Sequence, residues 1–254
     1  MPSWIVTPQK RPEAIANLLV VPHAGGSANF FHKWIKHMPD AVELHLVEMP
    51  GRGRRMREPL STHWRDVTDA MLEEIALLAR RPFAVFGHSM GAHLAYRVLS
   101  QLDANQSQSL LHFFPSASKS PLDVMRNGFF SKRPVSDDDF VDELRALGGA
   151  AEELLLHPEF LELVLQIMRA DYLVCDSLAD AKDAPALACN ITALGGRGDP
   201  LVGLDRVAGW QSLCQRRFEL VGFDGGHFFF DAPPQTLPAL LTERLLRELA
   251  TASV

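Results

Sequence analysis

"FAVFGHSMGAHLAYRVLS", residues 83–100, runs from four apolar residues through Gly87, His88, Ser89, Met90 and Gly91 into a segment of helical composition. A strand that enters G-x-S-x-G and continues as a helix is the setting of a nucleophile elbow. Glycines on either side permit the tight turn, and the serine projects at the end of the sheet. A serine before a helix also reads as a simple N-cap. What separates the two readings is whether a base and an acid follow at the places such a serine needs them.

Outward from this joint, short apolar runs recur at 17–21, 42–49, 109–115, 190–196 and 218–223, each a strand candidate. Helical patterns fall between most of them. In 63–80, Val67, Met71, Ile75 and Leu78 stand at spacings of four, four and three, which gives a helix one buried stripe. Alternating strands and helices predict an α/β fold with a mostly parallel central sheet covered on both faces. The alternation stops between about 117 and 188, where two helical patterns stand instead. The first opens at "SDDDF" with Ser136 and Asp139 as a capping box and carries Phe140, Leu144 and Leu147 to a stop at Gly148 and Gly149. The second, "HPEFLELVLQIMRADYLV", places Phe160, Val164, Met168 and Tyr172 at intervals of four, with further leucines widening the apolar surface. Such a helix needs cover on several sides. The expectation is one domain over 1–254 with a helical insertion at about 117–188.

Composition narrows the function classes. With 47% hydrophobic and 22% charged residues in 254, the chain reads as an ordinary globular domain, and no apolar run approaches the ~18 residues of a membrane span. The start "MPSWIVTPQKRPEA" lacks the basic-then-apolar order of a signal peptide, so a cytoplasmic location is expected. A net charge of -6 argues against general nucleic-acid binding. Cys175, Cys189 and Cys214 show no C-x-x-C spacing and the ten histidines no H-E-x-x-H, so neither a disulfide framework nor a metal site is expected.

A serine nucleophile needs a base, and the base a carboxylate, in the chain order Ser, Asp, His on this architecture. "NITALGGRGDPLV" puts Asp199 in the loop after one strand, and "FELVGFDGGHFFF" puts His227 in the loop after the next. The ends of parallel strands share one edge, so Ser89, Asp199 and His227 can converge there. Asp224 and Asp231 lie nearer His227 in sequence, but a carboxylate on the preceding strand's loop approaches the imidazole from the side, which favours Asp199. The "RGD" that contains it then has its aspartate turned inward. Acyl transfer also needs oxyanion donors. The Met90 N–H supplies one, and "PHAGGSANF" the other through the Ala24 N–H, with Gly25 as the alternative. The same "AGGS" lacks the pattern of a phosphate loop.

Taken together, "VPHAGGSANFFHKW", "EMPGRGRRMREPL", "FGHSMGAHLAY", "LRALGG", "GGRGDPLV" and "GGHFFF" resemble the type II thioesterases that accompany polyketide and nonribosomal peptide synthetases, over about residues 17–235. The resemblance implies an α/β-hydrolase fold with a helical lid, hydrolysis of aberrant or stalled acyl thioesters on the phosphopantetheine arm of acyl or peptidyl carrier proteins, a triad on Ser89, Asp199 and His227, and an oxyanion hole on Ala24 and Met90. No cofactor is implied beyond the substrate's own pantetheine, and a monomer is the default. His93 departs from the apolar residue frequent at its position; it either lines the site or is a partly exposed helix residue. The apolar face carrying Phe160, Val164 and Met168 either encloses an acyl chain, with Gly25 beside it, or is ordinary core. Arg52, Arg54, Arg55 and Arg57 form either a solvated loop or, through Arg52 and Arg54, a contact to an acidic carrier. A small-molecule esterase, peptidase or acyl-CoA hydrolase would share the triad, and a non-catalytic binding protein would break it.

Overall fold

The computed structural model describes residues 3–130, 136–147, 158–231 and 236–252. Its strands are β1 (Ile5–Val6), β2 (Ala16–Val21), β3 (Val42–Val47), β4 (Phe83–His88), β5 (Leu110–Ser116), β6 (Asn190–Gly196) and β7 (Phe218–Phe223). They form one seven-stranded sheet in the order β1-β3-β2-β4-β5-β6-β7. All neighbours are parallel except β1, which pairs antiparallel with β3 at the edge. Every residue of β2, β4 and β6 is buried, as strands covered on both faces must be.

The period of two sorts the strand residues between two cores. Leu19, Val21, Phe83, Val85 and Phe113 face one, while Leu18, Val20, Ala84, Phe86 and Phe114 face the other. The first core is closed by α2 (Trp64–Leu78) and α3 (Met90–Leu99), the second by α1 (Ala28–Phe31), Trp34 and α9 (Thr236–Ala252). In α2 the expected stripe of Val67, Met71, Ile75 and Leu78 is the buried one. Each such side chain contributes roughly 1.5–3 kcal/mol by leaving water.

The strands depart from the expected runs chiefly at β3 and β5, and β1 is not among those runs. β3 stops at Val47, ahead of the turn at Pro50 and Gly51, rather than at Met49. β5 starts at Leu110 because a short helix, α4 (Ala104–Ser109), precedes it, opened by a reciprocal capping box between Asp103 and Gln106. β1 has only two residues, too few to leave a periodic trace in sequence.

Within 117–188 the described residues hold no strand of the sheet. They contain α5 (Pro121–Asn127), α6 (Asp137–Leu147) and α7 (Pro158–Ser177). The sequence reading missed α5 although its signals are local. Ser120 Oγ accepts the Asp123 N–H at 3.3 Å, and Pro121 occupies the first turn. The cap expected for α6 forms as read: Asp139 N–H donates to Ser136 Oγ at 3.1 Å and Ser136 N–H to Asp139 Oδ2 at 3.0 Å. The expected stop at Gly148 and Gly149 lies outside the described residues.

The wide apolar surface of α7 is covered on more than one side. Val174 and Cys175 join the main core, whereas Leu165, Met168 and Tyr172 form a separate cluster with Phe140. α8 (Leu204–Val207) and Trp210 close the region behind β6. The loops after β2 to β7 open at one edge of the sheet, and every expected site residue from Ala24 to His227 except those of α7 lies in or beside them.

Candidate active site

Ser89 sits between β4 and α3 with φ 53° and ψ -116°, a left-handed conformation costly for a residue with a Cβ. Two contacts hold it there. Its N–H donates to the Ser116 carbonyl at 2.8 Å, and the backbone on either side packs where only glycine fits. A Cβ on Gly87 would lie 2.5 Å from the Gly91 carbonyl oxygen, and one on Gly91 2.3 Å from that of Val21. The Ser89 side chain makes no capping hydrogen bond to α3, so the N-cap reading does not account for it.

His227 Nδ1 donates to Asp199 Oδ2 at 2.8 Å, with side-chain exposures of 4% and 0%. The other oxygen, Asp199 Oδ1, accepts the N–H groups of Leu201 at 2.8 Å and Val202 at 3.1 Å, which fixes the carboxylate. With Nδ1–H given to Asp199, Nε2 carries the ring's lone pair. The aspartate of "RGD" is therefore turned inward, as expected. Asp224 points into solvent and pairs with Arg197 at 3.6 Å, and the Asp231 side chain lies outside the described residues. The two loops are locked together by the Gly198 N–H on the Gly225 carbonyl at 2.9 Å, and the aromatic run after His227 packs inward, Phe228 against His23 and His88, and Phe230 against Phe31 and Phe86.

Two further histidines stand behind this pair. The ring of His88 lies 5.0 Å from that of His227, and that of His23 lies 5.7 Å from His88. His88 Nδ1 shares a hydrogen bond of 2.9 Å with Ser116 Oγ. Burial, and then the proximity of His227, holds His88 well below the usual imidazole range and His23 at about 3. Both are neutral at ordinary pH, so neither puts a fixed positive charge beside an imidazolium forming on His227.

Met90 opens α3 directly after Ser89, and Ala24 lies in the loop between β2 and α1, both at the same sheet edge. Gly25, the alternative donor, is not available. Its N–H is given to Asp171 Oδ2 at 2.7 Å. Gly25 does lie against Met168 of α7, since a Cβ there would come 3.3 Å from Met168 Cγ. Ala24 and the half-buried Val164 pack against the Phe140, Leu165, Met168 and Tyr172 cluster. Phe160 belongs to α7, but its side chain lies outside the described residues.

The arginine loop is neither wholly solvated nor a free docking surface. Arg52 is buried at 4% exposure and makes a bidentate pair with Asp171, 2.7 Å on each arm, while also donating to the Gly26 carbonyl at 3.1 Å. A guanidinium consumed in this way cannot meet a carrier. Arg55 is likewise buried, donating to the Glu48 carbonyl and to Glu58 with its guanidinium over the Trp4 ring, while Arg54 and Arg57 are exposed. His93 also differs from the partly exposed alternative. It is 1% exposed, packed between Phe129 and Trp210. Sequence reasoning missed Asp171, which shares its helix with Glu159, Glu162 and Asp176 and is set apart from the latter two only by its burial.

Residues 16–244 match the family model described as the thioesterase domain. The chain belongs to the thioesterase family. Among its relatives are the gramicidin S biosynthesis protein GrsT of Aneurinibacillus migulanus, 31% identical over 226 residues that cover 89% of this chain and 87% of GrsT, and thioesterase PikA5 of Streptomyces venezuelae, 31% identical and covering 90% and 80%. The structure of BorB, a type II thioesterase from the borrelidin biosynthetic cluster, superposes with a TM-score of 0.80 at 29% identity, covering 96% of this thioesterase and 99% of BorB. The fold is that of the α/β-hydrolases, and the relatives place this thioesterase with the type II enzymes of polyketide and nonribosomal peptide pathways. No helix among its described residues is long and apolar enough to cross a membrane.

Proposed function

We propose that this thioesterase hydrolyses aberrant or stalled acyl groups from the phosphopantetheine arm of carrier proteins, with Ser89 as nucleophile, His227 as base and Asp199 as the residue that orients it. The observation that carries this reading is the buried hydrogen bond from His227 to Asp199 at the sheet edge where Ser89 is held strained and uncapped. In the first half-reaction, Ser89 Oγ attacks the thioester carbonyl carbon while its proton passes to His227 Nε2. The negative charge collects on the carbonyl oxygen, where the N–H groups of Ala24 and Met90 receive it; each such donor is typically worth ~3–4 kcal/mol. The carbon–sulfur bond then breaks, and His227 returns the proton to the departing pantetheine thiol. Water repeats the sequence on the acyl-enzyme, releasing the free acid and Ser89. No cofactor takes part. The carrier is a transient partner of a cytoplasmic, monomeric enzyme, and α6 and α7 form a lid whose Val164 and Met168 face the acyl chain.

The test is loss of acyl groups from a loaded phosphopantetheinyl carrier protein, read for wild type and Ser89→Ala, with a simple oxygen ester as control. Deacylation by wild type and a loss on the order of a millionfold in the variant are expected. Ester cleavage without carrier deacylation would point instead to a small-molecule esterase.

A further inference from the structure

The turn after β2 carries the proposed oxyanion donor Ala24. His23 to Gly26 close on themselves through the Gly26 N–H on the His23 carbonyl at 3.0 Å, with Gly25 at φ 77° in the third position. That is the type II arrangement, which favours glycine there. Among the described residues no acceptor takes the Ala24 N–H. The turn also abuts the elbow. A Cβ on Gly91 would lie 2.5 Å from the Pro22 carbonyl oxygen, and the His23 ring lies 5.7 Å from that of His88, the residue before Ser89.

Type II and type I turns differ by rotation of the peptide between their second and third residues, here Ala24 and Gly25. Two side chains from other elements hold that peptide and the next. Asp171 of α7 accepts the Gly25 N–H at 2.7 Å, and Arg52 of the β3–α2 loop donates to the Gly26 carbonyl at 3.1 Å. The two side chains are joined by a fork of two 2.7 Å bonds and are 1% and 4% exposed, so water does not compete for either. Apolar residues of the same volume often match a buried ion pair in stability. What they cannot supply is an acceptor for one amide of the turn and a donor for the neighbouring carbonyl.

We propose that Asp171 and Arg52 are positioning residues for the reaction, together gripping the 23–26 turn so that the Ala24 N–H meets the oxyanion formed on attack by Ser89. The proposal rests on the reading of Ser89 as nucleophile and Ala24 as donor. Neither side chain touches the substrate; each acts through the turn. The oxyanion develops only in the transition state, so loss of the grip lowers kcat and leaves KM in place.

The experiment compares wild type with two doubly neutralised variants, Arg52→Met with Asp171→Leu and Arg52→Met with Asp171→Asn, the second of which keeps a carbonyl oxygen for the Gly25 N–H. Thermal unfolding checks that each is folded at the assay temperature. Thiol release from butyryl pantetheine gives kcat and KM. The Ki of a propyl trifluoromethyl ketone reads the oxyanion hole itself, because Ser89 Oγ adds to its carbonyl carbon and leaves the negative charge on the carbonyl oxygen. In Arg52→Met with Asp171→Leu, kcat falls about a hundredfold with KM unchanged, and Ki rises by about as much. Arg52→Met with Asp171→Asn recovers about tenfold of each. A role confined to folding would return kcat and Ki to wild-type values once stability is restored, and that result overturns the proposal. So does a loss carried by KM with Ki unmoved. If Arg52→Met with Asp171→Leu does not fold, Arg52→Lys decides, since it keeps the buried charge without the fork: kcat falls and Ki rises about tenfold, and wild-type values overturn the proposal. Wild type that neither cleaves the thioester nor binds the ketone removes the serine-thioesterase reading and the proposal with it, an outcome distinct from an active wild type that the substitutions leave unchanged.

Discussion

Asp199 shows how much one side chain settles. Its two oxygens serve different purposes, one holding the His227 ring and the other held by the Leu201 and Val202 amides. Asp199→Asn preserves size but offers the ring an amide, which favours the wrong tautomer. Turnover should drop by about 10⁴ with the melting temperature little changed, a pairing that steady-state kinetics and calorimetry check together. The buried histidines make a second prediction. Burial lowers His23, His93 and His112 to about 3, His45 to about 4 and His88 well below its usual value, whereas in the unfolded chain each titrates near 6.5. Below that pH the unfolded state binds more protons, so stability is fully present above about 6.5 and is lost as pH falls toward 3–4. Each histidine adds up to about 1.4 kcal/mol per pH unit in that window. Denaturant unfolding at pH 7.5, 6.0 and 5.0 should show a steepening loss, and a flat profile would mean that these rings are protonated in the fold.

At the scale of elements, α7 is tied to the β3–α2 loop and to the β2–α1 loop through a single carboxylate. Asp171 accepts both arms of Arg52 and the Gly25 N–H. Removing it leaves a buried guanidinium unpaired, which typically costs 3–5 kcal/mol, so Asp171→Ala should unfold at markedly lower denaturant. Replacing both partners with apolar residues of similar volume, Arg52→Met with Asp171→Leu, should recover much of that loss. A double variant as unstable as the single one would show that the pair contributes more than charge compensation. The elbow makes the same point in backbone. Gly91→Ala pushes a methyl against the Val21 carbonyl and should disorder the turn that presents Ser89, abolishing activity and lowering stability together.

For the whole molecule, the strand ends, the arginine loop and α7 meet at one edge of the sheet, and the proposed lid closes that edge with an apolar cluster. Acyl groups that are branched or aromatic should therefore be released more slowly than short linear ones on the same carrier; rates independent of bulk would argue that α7 is core and nothing more. Arg54 and Arg57 are the exposed cations of the arginine loop. Reversing both to glutamate should raise KM for a loaded carrier several-fold, with a pantetheine thioester as the carrier-free control. A carrier KM that does not move would remove this loop from the docking surface.

The sequence by itself determined the α/β architecture, the elbow at Ser89 and the pairing of His227 with Asp199. Each rests on short-range pattern, a period of two or of 3.6, a glycine at a forced turn, or a loop after a parallel strand whose end must lie beside its neighbours' ends. The departures at the site were long-range. Arg52 looks like any loop arginine until Asp171, 119 residues away, is packed against it. His93 reads as half-exposed until Phe129 and Trp210, from separate elements, close over it. Gly25 stands as the alternative donor to Ala24 until a carboxylate from α7 takes its N–H. Burial and charge pairing depend on which segments share a volume, and only the tertiary structure decides that.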